Sequence, residues 1–265
     1  MTVINPQLNG KNVLLTGANS GIGAACAYAF AQQGAAVIIH YLDHEPQSDG
    51  HMGHSVKGKQ AAMEIVDQIT GSGGSAVAIA GDLMTAETAR QLFEESEKQV
   101  GPIDILVNNA AHCELPDNIR QTTASTIDHH FQVNVRAAVL LIAEFVNRHV
   151  ARKKTSGRII NISTDAAQAF PGQISYGASK AAMEAYTRGI AYEVGKYGIT
   201  VNCIAPGPVQ TGYITPELEQ QVLPDIPLGR VGRPEDIANA AVFLASEQSS
   251  WITGEVIKVS GGHRI

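Results

Sequence analysis

Three cysteines in 265 residues, odd in number and far apart at Cys26, Cys113 and Cys203, leave no disulfide framework and no compact zinc-ligand spacing. They are expected to be reduced thiols of a cytoplasmic chain. A basic excess is also missing. Nineteen lysines and arginines face 25 aspartates and glutamates, and a net charge of −6 argues against the clustered cationic footprint that nucleic acid requires. The short basic run Arg152-Lys153-Lys154 suits a helix C-terminus, where cations meet the negative end of the dipole. No apolar run reaches membrane-spanning length, and residues 1–10 lack a charged leader followed by an apolar core, so neither membrane insertion nor secretion is expected.

Hydrophobic residues make up 44% of the chain, enough for one large core, so residues 1–265 are expected to form one domain. Short apolar runs alternate with helical stretches. Val13-Leu14-Leu15, Val37-Ile38-Ile39, Ala76-Val77-Ala78-Ile79, residues 103–107, residues 158–162, residues 200–204 and residues 255–259 read as strands. Residues 22–33, 60–70, 86–99, 125–152, 175–197 and 234–245 read as helices, the last opened by Pro234 with Glu235 and Asp236 at the positive end. This alternation predicts an α/β fold, a doubly wound parallel sheet with helices on both faces, whose ligands gather beyond the C-terminal strand ends.

Two segments break the pattern. Residues 43–59, with His44, His51 and His54, read as an irregular excursion; their histidines lack a compact ligand spacing, which favours a solvated loop over a metal site. Residues 206–232 mix prolines with Tyr213, Ile214, Leu218 and Val222 and are a candidate substrate lid, or else a packed surface loop.

The segment from Thr16 to Gly23 follows the first strand and opens the first helix. Glycines there permit a tight turn and close approach to a pyrophosphate, while the helix start supplies unpaired N–H donors. Further on, Tyr176 and Lys180 are four residues apart and share a helix face, so the ammonium can favour an ionised phenol. A phenol of ordinary pKa, about 10, needs such help near neutrality. Ser163 ends the apolar run 158–162 and completes a proton-transfer set.

Thr-Gly-x-x-x-Gly-x-Gly at 16–23, Asn108-Asn109-Ala110, Asn134, Ser163, Tyr176 with Lys180, and Pro206-Gly207 occur in the order found in the short-chain dehydrogenase/reductase family. The chain resembles that family over nearly its whole length. The resemblance implies a Rossmann-like domain and NAD(P)-dependent interconversion of a small secondary alcohol and its ketone. It implies that Tyr176 is the general acid/base, that Ser163 donates a hydrogen bond to the substrate oxygen, and that Lys180 favours the tyrosinate and reaches a ribose. Asn134 is implied to hold a water linking Lys180 to solvent. Cofactor contacts are implied for Gly17, Asn19, Ser20, Gly21, Ile22 and Gly23, for Asp82 and Leu83 at the adenine, for Asn109 and Ala110, and for Tyr176 and Lys180. Pro206, Gly207, Val209 and Thr211 resemble the segment against the nicotinamide. Asp82 reads alternatively as a helix cap. Ala111 departs from the family's usual glycine and adds a methyl near the ribose.

Cofactor choice is less direct. Tyr41 occupies the position where a carboxylate would select NAD, and no Arg or Lys stands there or at Ser20. His40, His44 and the Tyr41 hydroxyl are candidates for a 2′-phosphate, opposed by Asp43, and the balance leans to NADP over NAD. Substrate contacts are expected from His112, Glu114, Asp165, Gln173, Tyr213 and Ile214; no metal is expected. The nearest likeness is to acyl-carrier-protein ketoreductases and glucose dehydrogenase-like members. The ketoreductases' carrier-binding arginines correspond to Leu140 and Tyr192, which argues for a free substrate, although Arg136 and Arg188 lie nearby. A nucleotide-sensing protein on the same fold is the alternative, disfavoured because a sensor has no need of the proton relay. The likeness also implies a homotetramer; the face of Ala181, Ala182, Ala185, Ile190 and Ala191 is small and apolar enough to pack helix on helix, a pattern that packing within the subunit requires equally.

Overall fold

A computed structural model describes residues 5–44, 46, 50–53, 57–169 and 171–264; His54 lies outside them. The apolar runs become β1 (Asn12–Leu15), β2 (Ala36–Tyr41), β4 (Ser75–Ala80), β5 (Ile105–Asn108), β7 (Gly157–Ile162), β8 (Ile199–Pro206) and β9 (Val256–Val259). They form one parallel sheet in the order β4-β2-β1-β5-β7-β8-β9, with Val13 opposite Val37 on one side and Ile105 on the other. Strands β5, β7 and β8 are buried throughout, as continuous apolar runs between two helical layers require.

Alternation along each strand feeds two cores. Val13, Leu15, Val37 and Ile39 meet α1 (Gly21–Gln32), α2 (Lys59–Gly71) and α8 (Pro234–Ala245) around Phe30 and Ile237. Leu14, Ile38 and Leu106 point the other way, onto Phe93 of α3 (Thr88–Val100), Phe145 of α5 (Ala138–Ala151) and Met183 of α6 (Ile174–Val194). The chain reverses its winding between β1 and β5, so the loops that follow those strands diverge and open a crevice at their C-terminal ends.

Three expectations change. Residues 125–152 are not one helix: α4 (Ala124–Phe131) passes through a π-helical stretch, Gln132–Ala137, before α5. The inserted residue leaves the apolar pattern readable as continuous helix, so only the backbone reveals it. The excursion at 43–59 carries β3 (His51–Met52), which pairs antiparallel with β6 (Glu114–Leu115), and Gly53 N–H donates to Cys113 O at 2.7 Å. Within the lid candidate lies α7 (Pro216–Val222), started by Thr215 Oγ1 accepting from Leu218 N–H. The root of that segment is closed by reciprocal backbone bonds, Gln210 N–H to Gly232 O and Gly232 N–H to Pro208 O, both 2.9 Å. Ile214, Ile226 and Val231 give it a small core of its own, with Leu218 and Val222 alongside.

Candidate active site

The glycine turn is held from below by side chains of neighbouring strands. Asn109 Nδ2 donates to Thr16 O and Gly17 O at 2.9 Å, and Thr16 Oγ1 accepts the backbone N–H groups of Asn109 and Ala110. Gly17 has φ +60°, and a Cβ there would fall 2.9 Å from Ala110 Cα, so both conformation and space call for glycine. Asn19 Nδ2 donates to Lys57 O and Gly58 O, tying the segment before α2 to the turn. At the start of α1, the N-cap Ser20 makes no side-chain cap bond and the first turn has no acidic residue. Its positive end therefore faces the crevice without an internal anion, which fits a pyrophosphate.

Tyr176, Lys180 and Ser163 border the same cleft, of about 790 Å³, together with Gly17, Asn19, Ser20, Gly21, Ile22, Asp82, Leu83, Asn109, Ala110, Pro206, Gly207, Val209 and Thr211. Lys180 Nζ sits 5.8 Å from the Tyr176 ring centroid and donates to Ile162 O at 2.8 Å. Burial pushes the Lys180 ammonium down to about 8 and the Tyr176 phenol above its ordinary range. Desolvation is the largest cause of the raised phenol pKa, with Tyr213 and Asp165 adding to it. Ser163 Oγ donates to Glu184 Oε1 at 2.7 Å, so donation to a substrate oxygen requires the hydroxyl to turn. Asn134 is buried within the π-helical stretch and outside the cleft lining. Its Oδ1 accepts from His112 N–H at 2.7 Å, while Nδ2 donates to His112 O and Ser179 Oγ, each at 2.9 Å.

Four of the expected contact residues are placed differently from the rest. Tyr41 points into the core beside α1 and α2, because alternation along β2 sends it with Val37 and Ile39, away from the cleft. His40 reaches the cleft wall, where both ring nitrogens already have partners. Its Nδ1 accepts from Gly17 N–H at 3.2 Å and its Nε2 faces Gly81 O at 2.9 Å, and burial lowers its pKa to about 4. Gly23 lies behind the turn, where a Cβ would sit 2.2 Å from Gly17 O; it permits helix–turn packing and does not line the cleft. Glu114 is buried and turned from the cleft toward His112 and His129.

The remaining expectations fall at the cleft. His112, Asp165, Gln173, Tyr213 and Ile214 line it, as does Ala111. Asp82 Oδ1 accepts from Met84 N–H at 2.9 Å and Oδ2 lies 3.4 Å from His44 Nε2, so it closes a turn while facing the cleft. It is not the α3 N-cap, which is Glu87.

Residues that spacing did not reveal complete the site. Asp117, 1% exposed, accepts the Ser175 and Tyr176 N–H groups at the start of α6. His263 Nδ1 contacts Asp165 Oδ2 at 2.5 Å, bringing the C-terminal residues to the cleft. Lys57 lines the same cleft as His44 and Asp82. Asp117 and His263 lie 58 and 98 residues from their partners in sequence, and no local motif flags any of the three. His112, Glu114 and His129 also form a cluster of potential ligands.

A family model described as enoyl-(acyl carrier protein) reductase matches residues 17–264. An uncharacterized oxidoreductase of Methylorubrum extorquens is 37% identical, covering 97% of this chain and 99% of its own. A double mutant of a Serratia marcescens short-chain dehydrogenase/reductase superposes with TM-score 0.86 at 30% identity, covering 97% of this chain and 99% of that one. A blue fluorescent protein from a metagenomic library, solved in complex with NADPH, gives TM-score 0.84 at 31% identity over the same shares. Similarity of this kind, running from end to end of both chains and not confined to one motif, makes this chain a member of the short-chain dehydrogenase/reductase family of oxidoreductases.

Proposed function

We propose that the protein is an NADP(H)-dependent alcohol dehydrogenase or carbonyl reductase acting on a small free molecule. The observation that carries this reading is the convergence of Tyr176, Ser163 and Lys180 on one cleft whose far end is the glycine turn and the open start of α1. A nicotinamide cofactor bound there supplies hydride to a carbonyl carbon, or takes it from an alcohol carbon. Tyr176 gives its phenolic proton to the carbonyl oxygen in reduction and receives it in oxidation. Ser163, turned from Glu184, holds that oxygen, and Lys180 offers positive charge as the phenol ionises.

Preference for NADP(H) is supported by Lys57 and His44 at the cleft. The NADPH-bound similar structure agrees with it. A free substrate, not a carrier-bound one, is favoured by the exposed Tyr192 and by Arg136, whose guanidinium donates to Met84 O. The three cysteines are buried and free, which suits a cytoplasmic chain, and among the described residues no helix is long and apolar enough to cross a membrane. A homotetramer through α5 and α6 is part of the proposal. Ala182, Ile190 and Ala191 are, however, used within the subunit, leaving Ala185 and Tyr186 as the outward part of that face.

The test is NADPH oxidation with a panel of ketones and aldehydes, using the wild-type chain and Tyr176→Phe. Turnover with at least one carbonyl and its loss by a factor on the order of 10² or more in the variant is expected. Equal activity of the variant would sink the mechanism, and no turnover with any carbonyl would favour the nucleotide-sensing alternative.

A further inference from the structure

Beside the catalytic cleft, four polar side chains from two chain segments meet in the interior. His112 and Glu114 are each 2% exposed, and they come from the segment that follows β5; His129 and His130 come from α4. One carboxylate oxygen serves two imidazoles: Glu114 Oε2 lies 2.9 Å from His112 Nε2 and 3.2 Å from His129 Nδ1. All three atoms lie within 4.8 Å of one another. The geometry points to a divalent transition-metal site of the zinc class, with His112 Nε2, His129 Nδ1 and Glu114 Oε2 as protein ligands.

The donor set and spacing carry the assignment. Two imidazole nitrogens and one carboxylate oxygen are the donors that zinc takes at about 2.0–2.2 Å, which places neighbouring ligand atoms roughly 3 Å apart. The two nitrogen–oxygen separations here, 2.9 and 3.2 Å, have that size. The ligating nitrogen of each ring faces Glu114, which leaves the ring N–H on the other nitrogen. For His129 that other nitrogen, Nε2, lies 3.4 Å from Ser125 Oγ, which can accept its hydrogen bond.

His130 acts as the wall of the site and not as a fourth ligand. Its Nε2 accepts from Glu114 N–H at 3.3 Å, which leaves Nδ1 to donate to Thr126 O at 2.7 Å. Both nitrogens are thereby used, and its ring packs edge-on against His112, 5.3 Å between centroids. The same ring lies 6.3 Å from the Tyr176 ring, also edge-on. His129 retains side-chain exposure of 14%, a route for the ion from solvent.

A metal here would pin the chain from His112 to Asp117 onto α4. That stretch is bracketed at one end by Asn134 and at the other caps the helix that carries Tyr176. The site is thus a structural clamp on the segment that positions the acid/base residue, and it goes beyond the redox reading without depending on it.

The test uses the full chain, stripped with a chelator and titrated with ZnCl2 by calorimetry, with metal content measured after gel filtration. One zinc per chain is expected. Affinity should fall by more than about tenfold in Glu114→Gln and in His129→Ala, and stay unchanged in His44→Ala, a histidine of the cleft outside the cluster. X-ray absorption of the zinc-loaded wild type supplies an answer that needs no variant: two imidazole shells and one oxygen at about 2.0–2.2 Å support the site. Absence of stoichiometric zinc in folded protein, a coordination shell without histidine, or undiminished affinity in both cluster variants would overturn it.

Discussion

The Asp117 carboxylate grips the backbone of Tyr176: Oδ2 accepts the Tyr176 N–H at 2.9 Å, and the two oxygens accept the Ser175 N–H at 2.9 and 3.0 Å. The residue at the α6 N-cap, Gln173, makes no side-chain cap bond, so the cap comes from a segment nearly sixty residues earlier. A carboxylate at this partly buried helix start is worth up to about 2 kcal/mol.

Removing that carboxylate tests its hold on the tyrosine. Asp117→Ala leaves two buried N–H groups unpaired and is expected to cost about 1–3 kcal/mol in urea unfolding. Asp117→Asn keeps an acceptor and should recover part of that loss. In both variants kcat should fall more than KM rises, since the phenol is displaced while the cofactor turn is untouched; a pure KM effect would contradict this.

Burial of the Lys180 ammonium costs stability. Its pKa is depressed from 10.5 to about 8 by burial. The unfolded chain therefore binds the proton more tightly between those values, and the penalty on the fold is full below pH 8 and relieved as pH rises toward 10.5. The linkage amounts to about 3 kcal/mol at neutral pH. Lys180→Met should lose turnover while unfolding at the same or a higher denaturant midpoint, and a marked loss of stability would show that the ammonium is a structural anchor.

Cofactor preference should follow Lys57. Lys57→Ala is expected to raise KM for NADPH by up to about fivefold, the scale of one exposed charge pair of about 1 kcal/mol, and to leave KM for NADH within about twofold. Equal effects on both cofactors would assign Lys57 to general packing of the segment tied to Asn19.

Acid should weaken the fold through His40. Held neutral between Gly17 and Gly81, it has a pKa lowered from 6.5 to about 4 by burial. Its contribution is fully present above pH 6.5 and is lost as pH falls toward 4, because the unfolded chain takes the proton first; the loss is about 3 kcal/mol. Equilibrium unfolding across that range should show this slope, and His40→Asn should flatten it.

Some of these features were legible in the chain and others were not. The strands were, because a sheet covered on both faces requires unbroken apolar runs such as 158–162 and 200–204. Gly17, Tyr176 and Lys180 were, because each answers to a local requirement: a positive φ, or a spacing that fixes one helix face. The π-helical stretch was hidden because its apolar pattern does not differ from that of a plain helix. The orientation of Tyr41 and the bonding of His40 were not legible, because position at a strand end does not say which face a side chain takes or what it is bonded to.

The sequence by itself determined the alternation of elements, the glycine turn and the shared helix face of Tyr176 and Lys180, since these depend on neighbours a few positions away. Tertiary structure decided that Asp117 caps the helix of Tyr176, that Lys57 and His263 reach the cleft, and that His112, Glu114 and His129 converge. Those relations join segments 15 to roughly 100 residues apart, and only the packing of helices on a wound sheet brings them within hydrogen-bonding distance.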